Sequence, residues 1–246
     1  MPKVNFFALI IGTEILNQRR TDKHFDFVAQ ALAHYGKKLT GSFIIEDDPA
    51  LIVQTIRFIA SQPNSVIFSF GGIGSTPDDH TRKCASIALR DGNLHQHQEA
   101  TEIIKTRFKE DLPDYVLEMA QLPKNAKILE NPVNKMPAFY LDERYFFMPG
   151  FPEMSHPMVE HILATLFATQ ETTHRYTLTA LCKESELIAI MKQMPKEVEF
   201  SSLPTMHSDG WRVCISVSSQ NQKLAQKNFK LFEKELTDKG IYYSIS

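Results

Sequence analysis

Ser-Val-Ile-Phe-Ser-Phe at residues 65–70 runs straight into Gly-Gly-Ile-Gly-Ser-Thr-Pro-Asp-Asp-His-Thr at 71–81, and this stretch decides the fold. A charge-free apolar run of that length reads as a strand buried on both faces. Glycines at its end permit positive φ and let backbone N–H groups approach a ligand closely. A helix beginning near Thr81 would aim its unsatisfied amides and positive dipole end at the same spot. Ser75 and Thr76 add hydroxyl donors, so Gly71, Gly72, Gly74, Ser75 and Thr76 read as a cradle for an anion. Asp78 and Asp79 would repel phosphate unless a hard divalent cation bridges acid and phosphate oxygens. The alternative is a glycine-rich turn in which one aspartate caps the helix at Thr81. Neither of the best-known phosphate loops is present: no Gly-x-x-x-x-Gly-Lys-[Ser/Thr] occurs, and Gly72-Ile73-Gly74 lacks the third glycine of a dinucleotide fingerprint.

Upstream, strand and helix patterns alternate. Phe6–Ile11 and Leu39–Ile45 read as strands; 22–35 reads as a helix with Phe25, Val28, Ala29 and Leu32 on its apolar face. Asp47-Asp48-Pro49 starts a helix carrying Ile52, Ile56, Ile59 and Ala60. This alternation predicts a mostly parallel α/β sheet with ligands beyond the carboxyl ends of the strands, where Gly12 and Gly71 both fall. Downstream, 96–109 and 115–121 read as helices, 138–141 and 145–148 as a hairpin, and Pro149-Gly150-Phe151-Pro152 punctuates the chain before a helix ending near Phe167. Thr-Gln-Glu-Thr-Thr at 169–173 reads as a linker between domains at 1–170 and 173–246. Beyond it, strands at 176–180, 198–203, 211–218 and 241–245 with helices at 185–194 and 224–236 give the β-α-β-β-α-β order of a ferredoxin-like domain.

The net charge of −2 supplies no basic excess for nucleic-acid or membrane binding. Cys84, Cys182 and Cys214 are too few and too scattered for a disulfide framework or a zinc site, and the first apolar run is too short to span a membrane. A cytoplasmic location is expected.

Gly12-Thr13-Glu14-Ile15-Leu16, Asp22, Asp47-Asp48, the loop at 71–81, Asn131-Pro132-Val133 and Pro149-Gly150-Phe151-Pro152 occur here in family order, and over about residues 4–168 the chain resembles the competence/damage-inducible CinA-like proteins. The resemblance implies a three-layer α/β/α molybdopterin-binding fold that takes a pterin or nucleotide phosphate, and self-association into a dimer or trimer. It implies phosphoanhydride cleavage of ADP-ribose or FAD type with a divalent metal such as Mg, Mn, Co or Ni, carried by Asp47 and Asp79. Asp78 and Asp79 are the candidate metal ligands. Gly12, Thr13, Glu14, Asp22, the loop residues above, Pro149 and Gly150 complete the ligand set. The runner-up function is a molybdopterin or nucleotide carrier without turnover. The chain departs from the family pattern at Gln18, at His24, and at Asn134 and Ala138, where two close-approach glycines are replaced. Longer relatives carry a C-terminal amidase that deamidates nicotinamide mononucleotide, an activity not expected of this chain.

Two further features read blandly. His80, His95 and His97 lack ligand spacing and read as surface histidines at a helix start. Lys223, Lys227, Lys230 and Lys234 form a basic stripe opposite Ala225, Phe229, Phe232 and Leu236, which reads as the solvated face of an amphipathic helix.

Overall fold

A computed structural model of the chain describes residues 4–169 and 172–246. The chain divides into two compact units, Met1–Thr169 and Gln170–Ser246. The linker read at 169–173 lies partly outside the described residues.

The first unit opens with β1 (Asn5–Ile11), the single-turn α1 (Thr13–Leu16), α2 (His24–His34) and β2 (Leu39–Ile45). α3 (Pro49–Ala60), β3 (Ser65–Phe70), α4 (Thr81–Leu89), the short β4 (Leu94–Gln96) and α5 (Gln98–Phe108) follow. Then come α6 (Asp114–Leu117), β5 (Gln121–Pro123), β6 (Lys127–Leu129), β7 (Ala138–Leu141), β8 (Tyr145–Met148) and α7 (Pro152–Leu166). The main sheet has the order β2-β1-β3-β8-β7-β6; its first four strands are parallel, β7 runs against them, and β6 pairs antiparallel with β7. This is the mostly parallel α/β arrangement expected. β3 is buried at every position, and β1 at all but its first, because helices cover both faces.

Two details of this unit depart from the sequence reading. The 115–121 helix shrinks to one turn, and its remainder becomes a 3-10 turn and β5, which pairs with β4. On α2 the buried stripe is His24, Val28 and Leu32, whereas Phe25 is 46% exposed. The Asp22 carboxylate causes this rotation: it accepts the His24 and Phe25 amides and fixes where the first turn begins. Asp48 likewise caps α3 by accepting the Leu51 amide at 2.7 Å.

The second unit comprises β9 (His174–Ala180), α8 (Ile188–Met191), β10 (Glu199–His207), β11 (Gly210–Ser219), α9 (Gln222–Asp238) and β12 (Tyr243–Ile245). Its antiparallel sheet runs β10-β11-β9-β12, the ferredoxin-like order. The helix read at 185–194 is a 3-10 turn followed by the single-turn α8. Ala225, Phe229, Phe232 and Leu236 of α9 are buried in this unit's own core, and the four lysines of the stripe are exposed.

Candidate functional site

In the main sheet the chain leaves β1 for β2 on one side and returns to β3 on the other, so the strand order reverses between β1 and β3. In open α/β sheets such a switch point marks a ligand crevice beyond the carboxyl ends of the strands. Gly12 ends β1 and Gly71 ends β3. The backbones meet there without room for side chains: a Cβ on Gly71 would fall against the Ile11 carbonyl oxygen, and one on Gly150 would lie 3.3 Å from the Gly71 Cα. Gly71 and Gly72 take φ values of 102° and 68°, which glycine adopts without strain. The Gly71 amide donates to Met148 O at 3.0 Å, tying the loop to β8.

Beyond Gly71 the loop is held by its own side chains. Asp79 Oδ1 accepts the Gly74 amide and Oδ2 accepts the Thr76 amide, both at 2.8 Å, and Oδ2 also accepts the Thr76 hydroxyl. Thr81 Oγ1 donates to the Gly71 carbonyl at 2.9 Å, and the Thr81 amide donates to Gly72 O. Arg82 is buried under the loop and donates to the carbonyls of Ile73 and Gly74. Burial lowers its pKa from the ordinary arginine value, and the charges of Asp79 and Glu118 oppose that shift. After these bonds, the amides of Gly72, Ile73 and Ser75 have no acceptor among the described residues. Unpaired amides on a glycine-rich loop ahead of a helix can receive an anion.

Asp79 therefore has an occupation that its sequence position did not reveal. It does not cap α4, whose N-cap position His80 makes no side-chain bond to the helix, but braces the loop from inside. Thr76, expected to offer its hydroxyl to a ligand, donates it to Asp79 instead. Asp78 is exposed.

On the other side of the crevice, Asp47 reaches from the end of β2 to the start of α1. Its Oδ2 accepts the Thr13 amide at 2.8 Å and the Thr13 hydroxyl at 2.9 Å. Its Oδ1 accepts no hydrogen bond among the described residues. The Gly12 amide donates to Ile45 O, so Gly12 and Thr13 shape the crevice through its backbone. Glu14 lies 3.7 Å from Arg20, and Asp22, one residue before the N-cap Lys23, accepts the first two amides of α2.

Two residues that the sequence reading did not single out as ligand contacts converge on Gly150. Arg20 donates to its carbonyl at 2.9 Å, and the His24 Nε2 lies 3.3 Å from the same oxygen. A carbonyl only accepts, so Nε2 carries the proton and Nδ1, buried without a partner, is bare. Burial against Phe70, 4.2 Å between ring centroids, depresses the His24 pKa to about 4 despite the hydrogen bond and nearby Asp22. The only sequence signal for His24 was its departure from the family pattern. For Arg82 there was none. His97 caps α5 through Nδ1, as expected of a helix start, whereas His95 is exposed in β4 and pairs with Asp91.

Residues 7–169 match a family model described as "Probable molybdopterin binding domain". A CinA-like protein of Thermotoga neapolitana is 24% identical over 245 residues, 95% of this chain and 58% of the relative. A CinA-like protein of Desulfotalea psychrophila is 33% identical over 178 residues, 70% of this chain and 42% of the relative. The chain thus spans about half the length of these relatives. Among solved structures, CinA of Thermoplasma acidophilum, a protein of unknown function, superposes with a TM-score of 0.59 at 25% identity, covering 65% of this chain and 96% of that one. These findings meet the expectation of a CinA-like chain with this fold.

Proposed function

The chain belongs to the probable molybdopterin binding domain family, and from that premise we propose that it binds a nucleotide or pterin through its phosphate at the β1/β3 switch point. The observation that carries this reading is the set of free amides at Gly72, Ile73 and Ser75, held open by Asp79 and backed by buried Arg82. Such donors favour an anion because their positions are set before it arrives, and a fixed array pays no ordering cost on binding. The test is calorimetric titration of the protein with ribose 5-phosphate and AMP, compared with the Gly72→Ala variant. A Cβ at residue 72 would collide with the Thr81 hydroxyl and bring strain at φ 68°. Binding by the wild type and at least a 10-fold loss in the variant support the reading; equal affinities refute it.

A second reading, hydrolysis of a phosphoanhydride of ADP-ribose or FAD type, is favoured by Asp47. One of its oxygens is uncommitted beside the crevice, where a carboxylate can orient water toward a bound phosphate. The donor set does not form a metal centre by itself. Asp79 spends both oxygens on the loop, and among the described residues no three His, Cys, Asp or Glu side chains gather as a metal-binding group. A divalent cation would fit here only as one held jointly by a carboxylate and the ligand's own phosphate oxygens. Release of AMP from ADP-ribose supports hydrolysis, and binding without product selects the carrier.

We further propose a reducing compartment, the cytoplasm, for a chain whose three cysteines are free thiols. Among the described residues no helix is long and apolar enough to cross a membrane. Association of this fold into dimers or trimers is proposed on the family resemblance.

A further inference from the structure

The phosphate site accounts for Gly150 but not for what gathers beside it. Phe151 follows Gly150 directly and stands at the N-cap position of α7. Its side chain is 56% exposed, while Gly150 and Pro152 on either side are half-buried. The Arg20 guanidinium lies over that ring, 5.4 Å from its centroid. Arg20 is held there by its bond to the Gly150 carbonyl and by Glu14 at 3.7 Å. Gly150 in turn packs so near Gly71 that an added Cβ would lie 3.3 Å from the Gly71 Cα, so this aromatic surface begins beside the first glycine of the phosphate loop.

We propose that Phe151 and Arg20 form the seat for the planar nitrogen heterocycle, purine or pterin, of the ligand whose phosphate the loop takes. The inference rests on the reading of the loop given above. Arg20 covers part of the Phe151 ring and leaves the remainder open, and an open π-face beside a fixed cation stacks any flat heteroaromatic ring. The Gly150 carbonyl holds the guanidinium beside the ring, so the seat exists before a ligand arrives.

The test compares AMP with ribose 5-phosphate, which has the phosphate and sugar but no base, by calorimetry on the full chain. Wild type is expected to bind AMP at least 10-fold more tightly than ribose 5-phosphate. Phe151→Ala should weaken AMP about 10-fold, the loss of one stacked base, and leave ribose 5-phosphate within twofold. Phe151→Trp, which keeps a π-face, should restore AMP affinity and show quenched indole emission on AMP but not on ribose 5-phosphate. If wild type binds both ligands equally, or Phe151→Ala weakens both alike or neither, the seat is overturned while the phosphate site stands. If wild type binds neither, the loop reading fails and the seat falls with it.

Discussion

Replacing Gly71 with alanine tests the geometry of the crevice floor most sharply, because nothing near that atom can yield. Gly71 has φ 102°, outside the regions that residues with a side chain adopt, and holding alanine there costs about 1–3 kcal/mol. The new methyl would also fall closer than 3.0 Å to the Ile11 carbonyl oxygen. That oxygen belongs to a backbone pinned between β2 and β3, so relieving the overlap adds about 1–3 kcal/mol. The reduced freedom of the unfolded alanine chain returns about 0.4–1 kcal/mol. The expected net loss is about 3 kcal/mol, read as a shift of the urea midpoint by circular dichroism. Gly210→Ala is the control: φ there is 131°, but no atom lies within 4 Å of the added methyl. It should cost only the backbone strain, and Trp211, the single tryptophan, reports it by fluorescence. A Gly71→Ala protein within about 1 kcal/mol of wild type would refute the reasoning.

The remaining predictions use the site's charges. His24 is neutral in the fold with a pKa near 4 and titrates near 6.5 when unfolded, so the unfolded chain binds more protons between those values. Stability is therefore complete above about pH 6.5 and falls toward pH 4 by up to about 3 kcal/mol; His24→Asn should flatten much of that slope in urea titrations across this range, leaving the part due to His156, also depressed by burial. Asp47→Asn keeps a carbonyl oxygen able to accept both Thr13 bonds, so it should retain AMP affinity and stability while abolishing any release of AMP from ADP-ribose; unchanged turnover would remove Asp47 from the chemistry. Asp79→Asn has one acceptor oxygen where the loop uses two, so it should lose both phosphate affinity and about 1–2 kcal/mol of stability, after allowing for water reaching the freed amides. Arg82→Met removes a buried guanidinium from two carbonyls and should cost about 2–4 kcal/mol in thermal unfolding while weakening ribose 5-phosphate.

Much of the frame was legible because its signals are local. β1, β2 and β3 are continuous apolar runs with glycine or acid at their ends, and the hairpin of β7 and β8 has its boundaries where hydrophobic residues stop. β4, β5 and β6 have three residues each, too few for a periodicity to show, and they exist only through their partners. On α2 the apolar pattern favoured Phe25, yet Asp22, by accepting the His24 and Phe25 amides, turned His24 inward, a choice made by one carboxylate and not by hydrophobicity. The close backbone approach at the glycine loop was legible because residue type alone dictates it. Which amides remain free was not, since Asp79 could have faced the helix, a cation or the loop, and closure of the loop selected the last. Arg82 is a buried charge on a helix whose sequence gives no reason to bury one; its partners are backbone carbonyls, which leave no trace in the sequence.

Amide chemical shifts measured during titration with ribose 5-phosphate test the central claim most directly, because they report on the donors themselves. Saturable downfield shifts concentrated at Gly72, Ile73 and Ser75, with Gly74 and Thr76 little moved because Asp79 already holds them, are predicted. Shifts that miss those three amides, or equal perturbation of amides already bonded within the loop, would contradict the account.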